Sequence, residues 1–190
     1  MKKGGCVKKC LIILFVTAGF VFASNLVING DFEQELNVGW HQSTYGSATA
    51  INRDDYDPSD PDYEVYIYKG TETGYAKLYQ IVDISNTNID FSVYAKLIAS
   101  DNHANAWAAA AVVISYMTLS DSILGETRIY RNSQGCPWVN CSTLHLIPAP
   151  NTDWNSYSFN LDDELINLPG VNPPEISKIK VALYSCTDHC

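Results

Sequence analysis

Along DFSVYAKL, residues 90–97, apolar and polar positions alternate: Phe91, Val93, Ala95 and Leu97 against Asp90, Ser92, Tyr94 and Lys96. That is the period of a strand with one face buried. EVYIYK (64–69), YAKLYQIVDI (75–84), AWAAAAVVISYM (106–117), ETRIYR (126–131), SYSFNL (156–161) and ISKIKVALY (176–184) continue the series, separated by clusters of Gly, Asn, Asp, Ser and Pro that serve as turns. The Ala run at 108–111 has helical propensity, but the Val-Val-Ile-Ser-Tyr that follows is β-branched and aromatic, which predicts one long strand. Only DDELINL, 162–168, suits a short helical turn, with acids at its start to complement the dipole and Pro169 to stop it. About nine strands in one chain predict an all-β fold, a two-sheet antiparallel sandwich with jelly-roll wiring.

The same alternation sorts side chains by face. On 89–97 the apolar phase is odd, so Tyr94 points outward with Ser92 and Lys96. On 106–117 the even phase carries Val112, Ile114 and Tyr116, which puts Trp107 and Ser115 on the other face. Tyr66 and Tyr68 share a face opposite Val65 and Ile67, and Trp138 falls in a loop between Cys136 and Cys141. Trp154 and Tyr157 read as core or rim supports, and Phe32 and Trp40 as core.

The start of the chain changes the picture of its destination. Lys2, Lys3, Lys8 and Lys9 precede an apolar run that ends at the small-residue site Val21-Phe22-Ala23, the layout of a secretory signal peptide. The run is about 14 residues, short of the roughly 20 that a spanning helix needs, so residues 1–23 are expected to be cleaved and 24–190 to form one domain. Cleavage removes four of the twelve basic residues and none of the twenty-one acidic ones, leaving eight against twenty-one, a net charge of −13. Such a surface repels phosphate backbones and argues against nucleic acid as a partner; once the signal is removed, no membrane association is expected.

Cys136, Cys141, Cys186 and Cys190 remain after cleavage. In an oxidising compartment they read as disulfides with three connectivities open, the local pairings Cys136–Cys141 and Cys186–Cys190 being preferred here. A zinc site using His145 and His189 is the alternative, but no CxxC pair is present.

The order of features resembles the jelly-roll carbohydrate-binding modules of the family 4 and 9 type, within the galactose-binding-like group. The resemblance rests on NLVINGDFE followed by Trp40, then GYAKLYQIVDI with Gln80, FSVYAKL, VVISYM and LGETRI, DWNSYSFNL and ISKIKVALYS. It implies a sandwich fold, glycan binding, and a structural calcium ion held near the acid that closes the GDFE segment. Glu33, with Asp31, is thereby a candidate ligand; the residues alone equally allow an Asn29-Gly30 turn with both acids solvated. Members of that group usually finish with a further Asp-rich strand, whereas this chain reaches Cys190 soon after KVALYS; either the sequence is a fragment without the last strand, leaving an unpaired edge that is a pairing hazard, or the sandwich closes its edge differently.

Other chemistry is less well supported. NRDDYDPSDPDYE, 52–64, holds six carboxylates but lacks the spacing and central Gly of an EF-hand loop, and reads as a solvated loop. No pair of carboxylates is singled out for glycosidic cleavage. His41, His103, His145 and His189 have no nucleophile or metalloprotease motif near them, so no enzymatic activity is expected. Sugar binding needs flat rings flanked by polar groups, and the chain supplies twelve Tyr and four Trp. Tyr66, Tyr68, Tyr94, Trp107 and Trp138 are the candidate platform residues of a secreted, non-catalytic glycan-binding domain, with surface proteins or enzymes as further partners. A structural or adhesive protein that uses the sandwich for protein contacts is the rival reading.

Overall fold

The computed structural model describes residues 25–56, 62–70, 72–100 and 106–189. The predicted signal peptide, His103 and Cys190 lie outside them. Among the described residues ten strands are formed: β1 (His41–Tyr45), β2 (Thr49–Asp54), β3 (Glu64–Lys69), β4 (Gly74–Asp83), β5 (Asp90–Lys96), β6 (Ala106–Met117), β7 (Ile123–Asn132), β8 (Leu144–Pro148), β9 (Trp154–Asn160) and β10 (Lys178–His189). One layer is a six-stranded sheet in the order β1-β4-β10-β6-β7-β8, antiparallel except for the β7–β8 pair. The other layer consists of two two-stranded sheets, β2-β3 and β5-β9. The chain is therefore an all-β sandwich, as the alternation predicts.

The core lies between the layers. From the large sheet, Leu78, Val112, Ile114, Tyr116, Ile129 and Val181 face it, and Ile51, Val65, Ile67, Phe91 and Phe159 meet them from the two smaller sheets. Leu78 and Ile114 are fully buried, each stabilising the fold by about 1.5–3 kcal/mol relative to an exposed side chain. The Ala run at 108–111 is strand and not helix, because β10 and β7 pair with it on both sides, and ladder pairing outweighs local propensity.

β10 occupies the middle of the sheet. It pairs with β4 from Lys178 to Thr187 and with β6 from Lys178 to His189. No edge is open beside the KVALYS segment; the edges of the large sheet are β1 and β8. The predicted helical turn is α1 (Leu161–Leu165), one residue earlier than its acids suggest. Asn160 caps it through its side-chain oxygen, which accepts from the Asp162 N–H at 3.0 Å, and Leu161 and Leu165 are buried.

The NGDFE segment is a locked turn. Asn29 adopts φ 51°, a left-handed conformation that Asn tolerates. Its side-chain oxygen accepts from the Gln34 N–H at 2.8 Å, and the Trp40 indole N–H donates to the Asn29 carbonyl at 2.9 Å. Buried Gln80 accepts from the Ile28 N–H at 2.7 Å and donates to the Ile28 carbonyl at 2.9 Å. One side-chain amide thus acts as a rung that ties the start of the domain to β4. Phe32 lies 5.3 Å from Trp40, ring to ring, and both pack on the core.

A chain of polar groups runs from the core towards the surface, with Tyr116, Thr127 and Glu164 buried and His145 half-buried. The Thr127 hydroxyl donates to Glu164 Oε1 at 2.8 Å and stands 3.2 Å from the Tyr116 hydroxyl. His145 Nδ1 reaches the same Glu164 oxygen at 2.5 Å, and the Asn167 amide donates to Oε2 at 3.3 Å. Burial holds the Tyr116 phenol far above its ordinary range, so it stays a neutral donor to Thr127. The network joins β6, β7, β8 and α1, and His145 serves it as a structural partner.

The local cysteine pairing needs correction. Cys136, Cys141 and Cys186 are free thiols. The loop forms a bridge between Cys141 and Leu144 and sets Cys141 Sγ 3.6 Å from the Thr143 hydroxyl, so Cys141 is engaged by its own turn. Cys186 is buried in β10, which pushes its thiol up to about 11, with the nearby Cys136 adding to the shift. The Cys186–Cys190 pairing lies outside the described residues.

Candidate ligand-binding face

The side of the large sheet that faces away from the core is the candidate site. Register assigns its residues. Tyr184 on β10 stands opposite Lys77 on β4 and Ala111 on β6, and Ala182 opposite Tyr79 and Val113. On β1, Tyr45 is opposite Tyr75 and His41 opposite Tyr79; on β7, Tyr130 is opposite Ala111 and Arg128 opposite Val113. Because side chains alternate, Tyr45, Tyr75, Lys77, Tyr79, Tyr184, Tyr130 and Arg128 share this face.

The rings form a continuous file across the strands. Centroid separations are 6.2 Å for Tyr45–Tyr75, 6.0 Å for Tyr75–Tyr184 and 6.4 Å for Tyr184–Trp138, the last pair nearly parallel at 20°. Trp138 in turn meets Trp107 at 6.3 Å and Tyr130 at 6.1 Å. These spacings lie in the range of favourable aromatic pairs. Trp138 reaches the sheet because the floor beneath it is small: Ala111, Val113 and Ala182 form a buried patch against which it packs. The Ala run therefore serves the outer face as well as the core, making a seat for an indole that arrives from the 133–143 loop.

Charged groups lie beside the rings. The Lys77 ammonium is 5.6 Å from the Tyr75 ring and 5.2 Å from that of Tyr79, and the Arg128 guanidinium is 4.4 Å from Trp138, both at cation–π distance. Arg128 donates to Glu126 Oε2 at 2.5 and 3.0 Å, and Ser115 donates to Glu126 Oε1 at 2.8 Å. Burial pushes the Lys180 ammonium below its usual range and the Tyr184 phenol above its own. A surface of this kind can stack flat apolar faces and hydrogen-bond groups at their edges.

Of the residues singled out from sequence, Trp107 and Trp138 meet on this face. The others lie on the opposite side of the sandwich. Tyr66 and Tyr68 stack on β3 at 6.1 Å with Tyr56 alongside at 5.5 Å, and Tyr94 stacks on Trp154 at 5.1 Å across β5 and β9. Tyr45, Tyr75, Tyr79, Tyr130 and Tyr184 are the members that face assignment on 64–69, 89–97 and 106–117 leaves out. The usable signal was the odd phase of YAKLYQI, where Ala76 and Leu78 are buried and Tyr75, Lys77 and Tyr79 are not. Two surface depressions, around Leu119 and Pro174 and around Leu26 and Asn88, are open hollows without a convergent set of charged groups.

The residues around Glu33 do not fit a calcium ion. Asp31 Oδ1 accepts from the Glu33 N–H at 3.4 Å within its own turn, and Glu33 Oε1 accepts from the Tyr63 N–H at 3.2 Å. Asp62 beside it holds the Glu33 carboxyl above the ordinary carboxylate range. Arg53 takes the backbone oxygens that a calcium ion would use, donating to the carbonyl of Phe32 and, at 2.8 Å, to that of Glu33. Its guanidinium also stands 3.5 Å from the Tyr63 ring. Among the described residues no group of three His, Cys, Asp or Glu side chains converges to hold a metal. A guanidinium supplies the positive charge here, so Arg53→Gln should cost about 1–3 kcal/mol while a chelator leaves the wild-type melting curve unchanged. A melting temperature that falls on chelation would restore the calcium reading.

Comparison with known proteins gives a fold-level likeness at low similarity. No family model and no curated protein matches the chain. Among solved structures, the enzymatically active domain of bacteriophage CBA120 tailspike protein 4 aligns with 14% identity and a TM-score of 0.49, over 85% of this chain and 19% of that one. The family 11 carbohydrate-binding module of a Clostridium thermocellum cellulosomal cellulase aligns with 11% identity and a TM-score of 0.41, over 85% of this chain and 89% of that one. The same organism's family 11 module in complex with a β-1,3-1,4-mixed-linked tetrasaccharide gives 13% identity and 0.40, over 84% and 89%.

Proposed function

We propose that the chain is a secreted, non-catalytic β-sandwich that binds a glycan on the outer face of its six-stranded sheet. The observation that carries this reading is the ring file Tyr45–Tyr75–Tyr184–Trp138. Tyr45 is exposed and Tyr75, Tyr184 and Trp138 are half-buried, so each is held by the sheet yet leaves area for a partner. Pyranose rings have flat C–H faces that stack on such surfaces, and phenol, indole and ammonium groups at the ring edges suit their hydroxyls. The file runs across the strands, so consecutive rings suit a linear saccharide lying across the sheet. The solved relatives named above include glycan-binding modules, which agrees with the reading at the level of fold.

The test is titration of soluble oligosaccharides into wild type and Tyr75→Ala. The substitution removes one ring of the file from a half-buried position and should weaken binding by about tenfold, 1.4 kcal/mol. Stability should change by about 1–2 kcal/mol. Equal affinities for the two proteins would move the site elsewhere. Tyr94→Ala, on the other side of the sandwich, should leave affinity unchanged.

A further inference from the structure

We infer that the glycan taken by this face is anionic, its carboxylates or sulfates held by Lys77 and Lys180 beside the aromatic file; this rests on the glycan-binding reading above. The chain as a whole is acidic, with twelve Lys and Arg against twenty-one Asp and Glu. The middle of the face reverses that sign, because Lys77 on β4, Lys180 on β10 and Arg128 on β7 all project from it. One carboxylate, Glu126, stands among them, and it is engaged by Arg128 and Ser115. The other acids of this face lie at the two ends of the strands: Asp83 and Asp121 near Lys178, and Asp188 bonded to Thr73.

Lys77 and Lys180 make no ion pair among the described residues. Lys77 is held between two phenol rings, and Lys180 is half-buried, within electrostatic reach of the Glu126 carboxylate and of both Lys77 and Arg128. Three cations face the single carboxylate of Glu126 in partly desolvated positions, which leaves repulsion in the free protein that a bound anion would offset. A neutral saccharide would leave that repulsion in place. The two ammonium groups are point charges, so they accept a carboxylate or a sulfate ester alike.

The experiment compares matched ligands on the purified protein: uronic-acid oligosaccharides with their carboxyl-reduced forms, and sulfated oligosaccharides with their desulfated forms. Each pair keeps the rings and changes only the charge. The acidic member of at least one pair should bind about tenfold more tightly at low salt, and the advantage should shrink as ionic strength rises from about 0.05 to about 0.5 M. The uronate and sulfate arms then tell which anion is preferred. Lys180→Gln and Lys77→Gln should each reduce the ratio of acidic to neutral affinity to about twofold. If neutral glycans bind as tightly as their acidic partners, or the lysine variants keep the full ratio, the inference is overturned and the glycan reading stands. If neither charged nor neutral saccharides bind, the glycan reading falls and takes this inference with it.

Discussion

Replacing His145 with Ala should destabilise the domain by about 1–3 kcal/mol, the loss expected when a buried acceptor is deprived of a hydrogen-bond partner. Glu164 is 5% exposed, and its Oε1 is shared by His145 and Thr127. Without the imidazole, Oε1 keeps the Thr127 hydroxyl and Oε2 the Asn167 amide, so a buried acceptor is left one partner short. Glu164→Gln should cost less, because an amide oxygen still accepts from Thr127. The double variant His145→Ala, Glu164→Leu should recover part of the loss, since an apolar group in that position leaves no buried acceptor to satisfy. Denaturant unfolding of the three variants decides the matter. A His145→Ala protein within about 1 kcal/mol of wild type would mean that the network is a passive feature of the surface.

Trp138→Ala should have the largest effect on binding of any single change to the face, weakening it by at least about tenfold, 1.4 kcal/mol. The indole stacks on Tyr184, meets Trp107 edge-on, carries Arg128 above it and covers the patch of Ala111, Val113 and Ala182. Its removal deletes a ring, frees Arg128 from its platform and exposes small apolar side chains. Stability should fall by about 1–3 kcal/mol, since the ring is half-buried and not enclosed. Trp138→Phe, which keeps a flat ring on the same seat, should restore most of the affinity. Saccharide titration and unfolding on the same variants separate the two effects, and full affinity in Trp138→Ala would place the ligand away from the β10–β7 side of the sheet.

Fold class was legible because β4, β5, β6 and β10 carry clear alternation, with Val112, Ile114 and Tyr116 fixing the phase of the central strand. β1 was not legible. Its sequence HQSTY has no apolar alternation and lies largely exposed at a sheet edge, so pairing with β4 and not burial makes it a strand. β8 is five residues, LHLIP, and runs parallel to β7, a non-local pairing that no turn motif announces. The site was half legible for a similar reason. Trp107 followed from strand phase, but Tyr75, Tyr184 and Trp138 come from three distant segments and are neighbours only through the register of β10 between β4 and β6. Local spacing misled the cysteines in the same way: Cys136 and Cys141 are close in sequence, yet strand register brings Cys186 up beneath the loop that carries Cys136.

The central position of β10 bears on how the protein is made. β4 and β6 are both complete by residue 117, but the strand that joins them begins at Lys178. Until it emerges from the ribosome, the emerging chain has two unpaired strand edges on either side of a gap, and the face that will carry Tyr184 does not exist. Closure is therefore a late, long-range event, the kind that slows folding of β-rich chains to about milliseconds or longer. The same delay leaves the β4 and β6 edges open to pairing with other copies, so yield during production should depend on how quickly the last strand is inserted.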